Sequence, residues 1–158
     1  MKFSREMTGF AVIHLPSGRE VGKVREWLLD EHCETVVALL VEGGGWLPQR
    51  RLIPFAEIAK IGTDAVLVDG TGLHLTGDPP LVGGRATCRA LGKRMLSAGG
   101  EELGIVEDFL FEEETGRVTG WRLSSGLIDD LLQGRPVLED PLQMIVGEDT
   151  LIVCDEEG

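Results

Sequence analysis

Three histidines, three cysteines, and scattered serines and carboxylates are the side chains of this chain that could carry chemistry. A metal site needs ligands that converge, and only His32 and Cys33 are neighbours; His14 and His74 lie far away. Adjacent residues on a strand point to opposite faces, so the pair is a poor chelate and reads as a surface turn. Cys33, Cys88 and Cys154 make an odd number with no CxxC, which indicates neither a zinc site nor a disulfide framework. Covalent catalysis wants a nucleophile beside an oriented base. Ser17, Ser97, Ser124 and Ser125 all stand among turn residues, and turn chemistry explains them. Asp129 and Asp130 would act as an acid/base pair only if they met over a pocket. Placement near the positive end of a short helix accounts for them more simply. Glu112, Glu113 and Glu114 read as a solvated turn. The expectation is no catalytic residue, no metal and no cofactor, hence no enzyme.

Binding residues are better represented. Arg85, Arg89, Lys93 and Arg94 fall in a stretch from Gly83 to Gly100 that holds no acid. They could contact RNA or an acidic protein face, or pair internally with the acidic second half; the internal role is favoured. Trp46 and Leu47 follow three glycines, as a lid or as an exposed anchor of the kind enriched at binding hot spots. Leu127, Ile128 and Leu131 give an apolar face to a predicted short helix capped by Ser125 and Gly134. That face should cover a barrel mouth, the other barrel, or a second chain in a symmetric dimer.

The partner classes are bounded by charge and composition. The net charge of −12 repels phosphate backbones, which makes nucleic acid an unfavoured partner. The chain has no Tyr and only 5% aromatic residues, too few for a base-stacking platform. No apolar stretch approaches the roughly 20 residues a membrane helix needs, and no signal peptide is recognisable. The expectation is a cytoplasmic protein that binds another protein.

The elements that must position these residues are written twice. Val21-Gly22-Lys23-Val24-Arg25-Glu26-Trp27-Leu28-Leu29-Asp30 returns 82 residues later as Leu103-Gly104-Ile105-Val106-Glu107-Asp108-Phe109-Leu110-Phe111-Glu112. Ile61-Gly62-Thr63-Asp64-Ala65-Val66 likewise returns as Val146-Gly147-Glu148-Asp149-Thr150-Leu151. A period this long is duplication of a whole small domain. Twenty-two glycines and short Val/Ile/Leu runs predict many strands joined by tight turns, an all-β chain. Phe55 to Lys60 reads as a single helical turn. Gly22 and Gly104 should mark equivalent bends in long strands.

Closure of such short strands into two small barrels would remove their exposed edges. The expected division is a first barrel over residues 1–70, a Gly/Pro-rich linker over 71–89 with little room for a core, and a second barrel over 90–158. Each unit alone would be marginal, since about 70 residues bury only about 60% of their unfolded surface, so the two should pack together.

In their doubled order these motifs resemble the PRC-barrel family, whose founding member is the cytoplasmic domain of a photosynthetic reaction-centre subunit. The carriers are Gly22-Lys23-Val24 to Asp30, Ile53-Pro54, Ile61-Gly62 to Val66, and their counterparts Gly104-Ile105-Val106 to Glu112 and Val146-Gly147 to Leu151. The stretch Thr115-Gly116-Arg117-Val118, with Ser124-Ser125-Gly126 to Arg135, is similar to tandem PRC-barrel proteins of spore-forming Gram-positive bacteria. Leu138-Glu139 departs where the first copy has Ile53-Pro54. The resemblance implies two tandem barrels and an adaptor that binds other proteins. Its ribosome-maturation branch supplies the alternative, an RNA- or ribosome-associated factor using Arg85 to Arg94.

Overall fold

Short β-branched runs broken by glycine turns fold into strands almost throughout. The computed structural model describes residues 1–43, 49–75, 81–82, 85–124, 137–139 and 143–154. The strands are β1 (Lys2–Phe3), β2 (Ala11–His14), β3 (Arg19–Asp30), β4 (Val36–Glu42), β5 (Arg50–Pro54), β6 (Ile58–Ile61), β7 (Ala65–Val68) and β8 (Leu73–His74). They continue as β9 (Leu81–Val82), β10 (Arg85–Cys88), β11 (Arg94–Ser97), β12 (Glu102–Phe111), β13 (Val118–Ser124), β14 (Val137–Glu139), β15 (Gln143–Val146) and β16 (Thr150–Cys154).

The duplication survives as identical topology. One sheet runs β6-β7-β2-β3-β4-β5 and the other β15-β16-β11-β12-β13-β14. Each contains one parallel pair at the same place, Val12 beside Val66 and Met95 beside Leu151. Each carries a bulge at the same corner, between Val12 and Ile13 and between Met95 and Leu96. The two repeat glycines stand opposite these corners, Gly22 paired with Val12 and Gly104 with Met95. A methyl on Gly22 would meet the Val41 side chain at 2.7 Å and the Glu42 carbonyl at 2.8 Å. Gly104 has φ +142° and its missing Cβ would overlap the Ser124 carbonyl, so the backbone there tolerates only glycine.

The expected closed barrels are not what the pairing shows. The first sheet ends in β6 on one side and, beyond β5, in β8 on the other; among the described residues no ladder joins β5 to β6. Pro54 ends β5 and has no N–H to donate, so the chain leaves the ladder there. It turns through the 3-10 segment Phe55–Glu57 and enters β6 directly. Ile58 and Ile61 draw residues expected in a helical turn into a strand. The sheet is nevertheless rolled, because Ile53 from one end packs in the same core as Ile61, Val66 and Val68 from the other.

That core does not stop at the first unit. One buried cluster joins Val12, Trp27, Leu39 and Val66 to Met95, Phe109, Phe111, Trp121 and Leu151. Trp27 stacks obliquely on Phe111 at 5.2 Å, Phe111 on Phe109 at 6.0 Å, and Phe109 on Trp121 at 6.0 Å, a chain of rings crossing the junction. Residues 71–89, expected to be core-poor, also differ from that reading. β8 pairs with β5, β10 pairs with β3, and Cys88 is buried.

Candidate functional site: the junction of the two units

The long repeat strands create the junction. β3 has twelve residues, yet β2 covers only its first part, Arg19 to Lys23. The rest of that edge would expose unpaired backbone groups, which proteins fill or cover. β10 fills it, with Thr87 opposite Asp30 and Cys88 opposite Leu29. β12 has the same uncovered stretch, and the N-terminal β1 fills it, with Lys2 opposite Phe111 and Phe3 opposite Leu110. Each unit is therefore completed by the segment that precedes the other unit's first strand.

The turns between the long strands and their partners obey the same reciprocity. Val36 N–H donates to the Gly116 carbonyl at 2.7 Å, and Val118 N–H donates to the Glu34 carbonyl at 2.9 Å. Between them Thr35 pairs with Arg117. At the repeat offset of Gly22 to Gly104, Thr35 and Arg117 are the same position, as are Val36 and Val118. Equivalent residues that bond to each other lie on a twofold axis. The chain is a covalently joined pseudo-dimer.

The two crossings are anchored by different chemistry. Asp108, 3% exposed, accepts the Ser4 hydroxyl at 2.5 Å, the Arg5 N–H at 3.1 Å and the Phe109 N–H at 2.8 Å. Arg122 lies 3.9 Å over the Phe3 ring. The N-terminal ammonium reaches Glu113 at 2.7 Å and holds its carboxyl below the ordinary value, chiefly by that hydrogen bond. β10 is held instead by a disulfide between Cys33 and Cys88, whose Cα atoms are 6.1 Å apart. This corrects two sequence expectations. The cysteines do pair, and in the turn expected at the surface the Cys33 side chain is buried while His32 is exposed. Its partner comes from 55 residues away, which no local spacing reveals.

A cleft of about 690 Å³ opens between the units. Its walls include Thr8-Gly9 of one unit and the equivalent Leu91-Gly92 of the other. Val24 and Trp27 floor it, Arg5, Lys23 and Arg25 supply cations, and Glu26 and Glu42 supply carboxylates. Arg25 is paired with Glu42 at the exposed rim. Trp27 is 3% exposed, and its indole N–H has no hydrogen-bond partner. An unmet buried donor costs about 1–3 kcal/mol, so its retention at a cleft is notable.

Of the residues singled out in the sequence, Trp46, Leu47, Leu127, Ile128 and Leu131 lie outside the described residues. For Arg85 only the backbone is described, and Arg89 is exposed. Lys93 is half-buried, with Nζ donating to the Gly147 carbonyl at 3.2 Å, and Arg94 faces Glu102 at 3.7 Å. Those two basic residues thus bind within the second unit. The cleft residues Arg5, Lys23, Arg25 and Trp27 were missed, as was Asp108. One signal was present: Asp108 follows Glu107 directly, so one of the two acids must face the same side as the strand's apolar residues, and Asp108 aligns with Glu26. Among the described residues no three His, Cys, Asp or Glu side chains gather as metal ligands would, and no helix is long and apolar enough to cross a membrane.

Residues 1–75 match the family model of the PRC-barrel domain. The chain is also 29% identical over 77 residues to an uncharacterized protein of Clostridium acetobutylicum, a match covering 46% of this chain and 88% of that protein. A relative mostly accounted for by 77 residues is the size of one unit here. The first unit belongs to the PRC-barrel domain family.

Proposed function

We propose that this chain is a non-enzymatic protein-binding module in which two PRC-type units, fused as a pseudo-dimer, receive a partner segment in the cleft between them. The observation that carries this reading is the cleft itself, an apolar floor with a mixed-charge rim, walled by both units. Trp27 and Leu91 offer apolar contact, while Lys23, Arg25 and Glu26 offer polar contacts around it, the arrangement of a protein-binding patch. Arg25 and Glu42 satisfy each other when the cleft is open and can exchange to a partner's charges. The second unit is taken as PRC-type because its strand order, parallel pair and bulge match those of the first.

The test compares proteins retained from native cells by the wild type and by Lys23→Glu/Arg25→Glu, with the fold of both verified by circular dichroism. The wild type should retain a discrete protein that the variant loses, and saturable binding of that purified protein should follow the same order. Identical retention by both would remove the cleft as the site. Retention of RNA, lost on reversing Arg89 and Arg94, would favour the ribosome-associated alternative.

A further inference from the structure

We propose that Cys33 and Cys88 form a reversible thiol–disulfide latch that sets whether β10 stays locked on the first unit, and with it the Leu91-Gly92 wall of the cleft. The latch stands on the strand geometry alone; only its bearing on a partner rests on the reading of the cleft above.

The comparison of the two crossings points to it. β1 is held with no covalent bond, by a buried carboxylate, a cation over a ring and an ion pair. At the positions equivalent to the cysteines the other half has Lys2, opposite Phe111, and Thr115, in the turn. A crossing of this kind can therefore be built without sulfur. β10 has only two registered pairs on β3, and one of those two residues is Cys88 itself. Where β1 is held without sulfur, β10 carries in addition a bond whose existence depends on the redox state around it.

The turn that presents Cys33 is set up to relax. Cys33 has φ +56°, in the left-handed region that non-glycine residues rarely adopt. Its N–H bonds to the Asp30 carbonyl at 3.0 Å, and the sulfur is tied to β10. Reduction removes the second restraint. The effect reaches the cleft directly, because Leu91 follows Cys88 by three residues through the buried Ala90.

The chemistry balances with a low-molecular-weight disulfide as oxidant. One thiolate attacks glutathione disulfide and expels a first glutathione thiolate. The second cysteine thiolate then attacks the mixed disulfide, forming the Cys33–Cys88 bond and expelling a second glutathione thiolate. Two protons leave the protein thiols, two electrons pass to glutathione, and excess dithiol reverses the sequence.

The full chain is the material for the test, with Cys154→Ser to keep the third thiol out. Protein is reduced with dithiothreitol, desalted, and re-oxidised with glutathione disulfide, and mass spectrometry counts thiols while amide hydrogen exchange is followed in both states. The latch predicts complete, reversible interconversion without lasting glutathione adducts. Exchange across residues 85–92 should be at least tenfold faster when reduced, with residues 1–7 changing less than twofold. Thiols that stay free under glutathione disulfide would overturn it. So would a bond that resists dithiothreitol in the folded state, which would be a permanent brace, or equal exchange at 85–92 in both states. A Cys88→Ser variant gives a second reading: its 85–92 segment should match the reduced wild type.

Discussion

Two stretches of chain do the same job at opposite ends of the pseudo-dimer, and they do it with unlike materials. Segment 1–7 completes the second unit, and its polar groups are met by a buried carboxylate. Segment 85–92 completes the first unit, and a sulfur bridge ties it to the turn after β3. The geometry required was alike in both places, because each long strand outruns its neighbour, from Val24 to Asp30 and from Val106 to Phe111. What differs is whether the anchor is always present.

The largest effect expected from breaking this comparison is on the sulfur side. Cys33→Ser/Cys88→Ser should lower stability under oxidising conditions by about 4 kcal/mol, the chain-entropy value for a loop of this length. Urea unfolding should show no such difference between variant and wild type once both are in dithiothreitol.

The repeat glycines compare the bodies rather than the crossings. Gly104→Ala meets a backbone carbonyl at a positive φ and should cost about 3–4 kcal/mol. Gly22→Ala has no positive φ, and one of its close neighbours is the movable Val41 side chain, so about 1–3 kcal/mol is expected. Equal losses at the two would show that the second corner is no tighter than the first.

On the carboxylate side, Asp108→Ala strands the Ser4 hydroxyl and the Arg5 N–H and should cost about 2 kcal/mol. The loss should be the same in oxidised and reduced protein, which separates this anchor from the disulfide.

The smallest effect concerns Glu113. Its folded value is depressed, so its contribution is present above the unfolded value and is lost as pH falls through the folded one. The pair with the N-terminal ammonium is substantially exposed, so Glu113→Gln should remove only a few tenths of a kcal/mol at neutral pH. The difference from wild type should vanish in acid, below the folded value.

Much of this was legible before any coordinates. The offset between Gly22 and Gly104 predicted two copies of one topology, and the glycines do sit at matching corners. Pro54 was visible, but its consequence, a rolled sheet that does not close, depends on which strand would have been its neighbour. The crossings were not legible. β1 and β10 contribute two registered pairs each, far too little for a hydrophobic pattern, and their partners are distant in sequence. For the same reason Cys33 and Cys88 showed no spacing that would betray a bond. Asp108 did leave a mark, as an acid in an apolar strand, but its meaning required knowing that Ser4 would arrive beside it.

The central claim is that the two units are one folding body because each is completed by the other. Placing a protease site between Thr76 and Pro80, cutting it, and keeping the cysteines reduced leaves only non-covalent contacts between the halves. The account predicts that native mass spectrometry finds a one-to-one complex of the two fragments with the intact mass, unfolding in a single thermal transition. Fragments that separate after the cut, each keeping its own folded spectrum and its own transition, would contradict it.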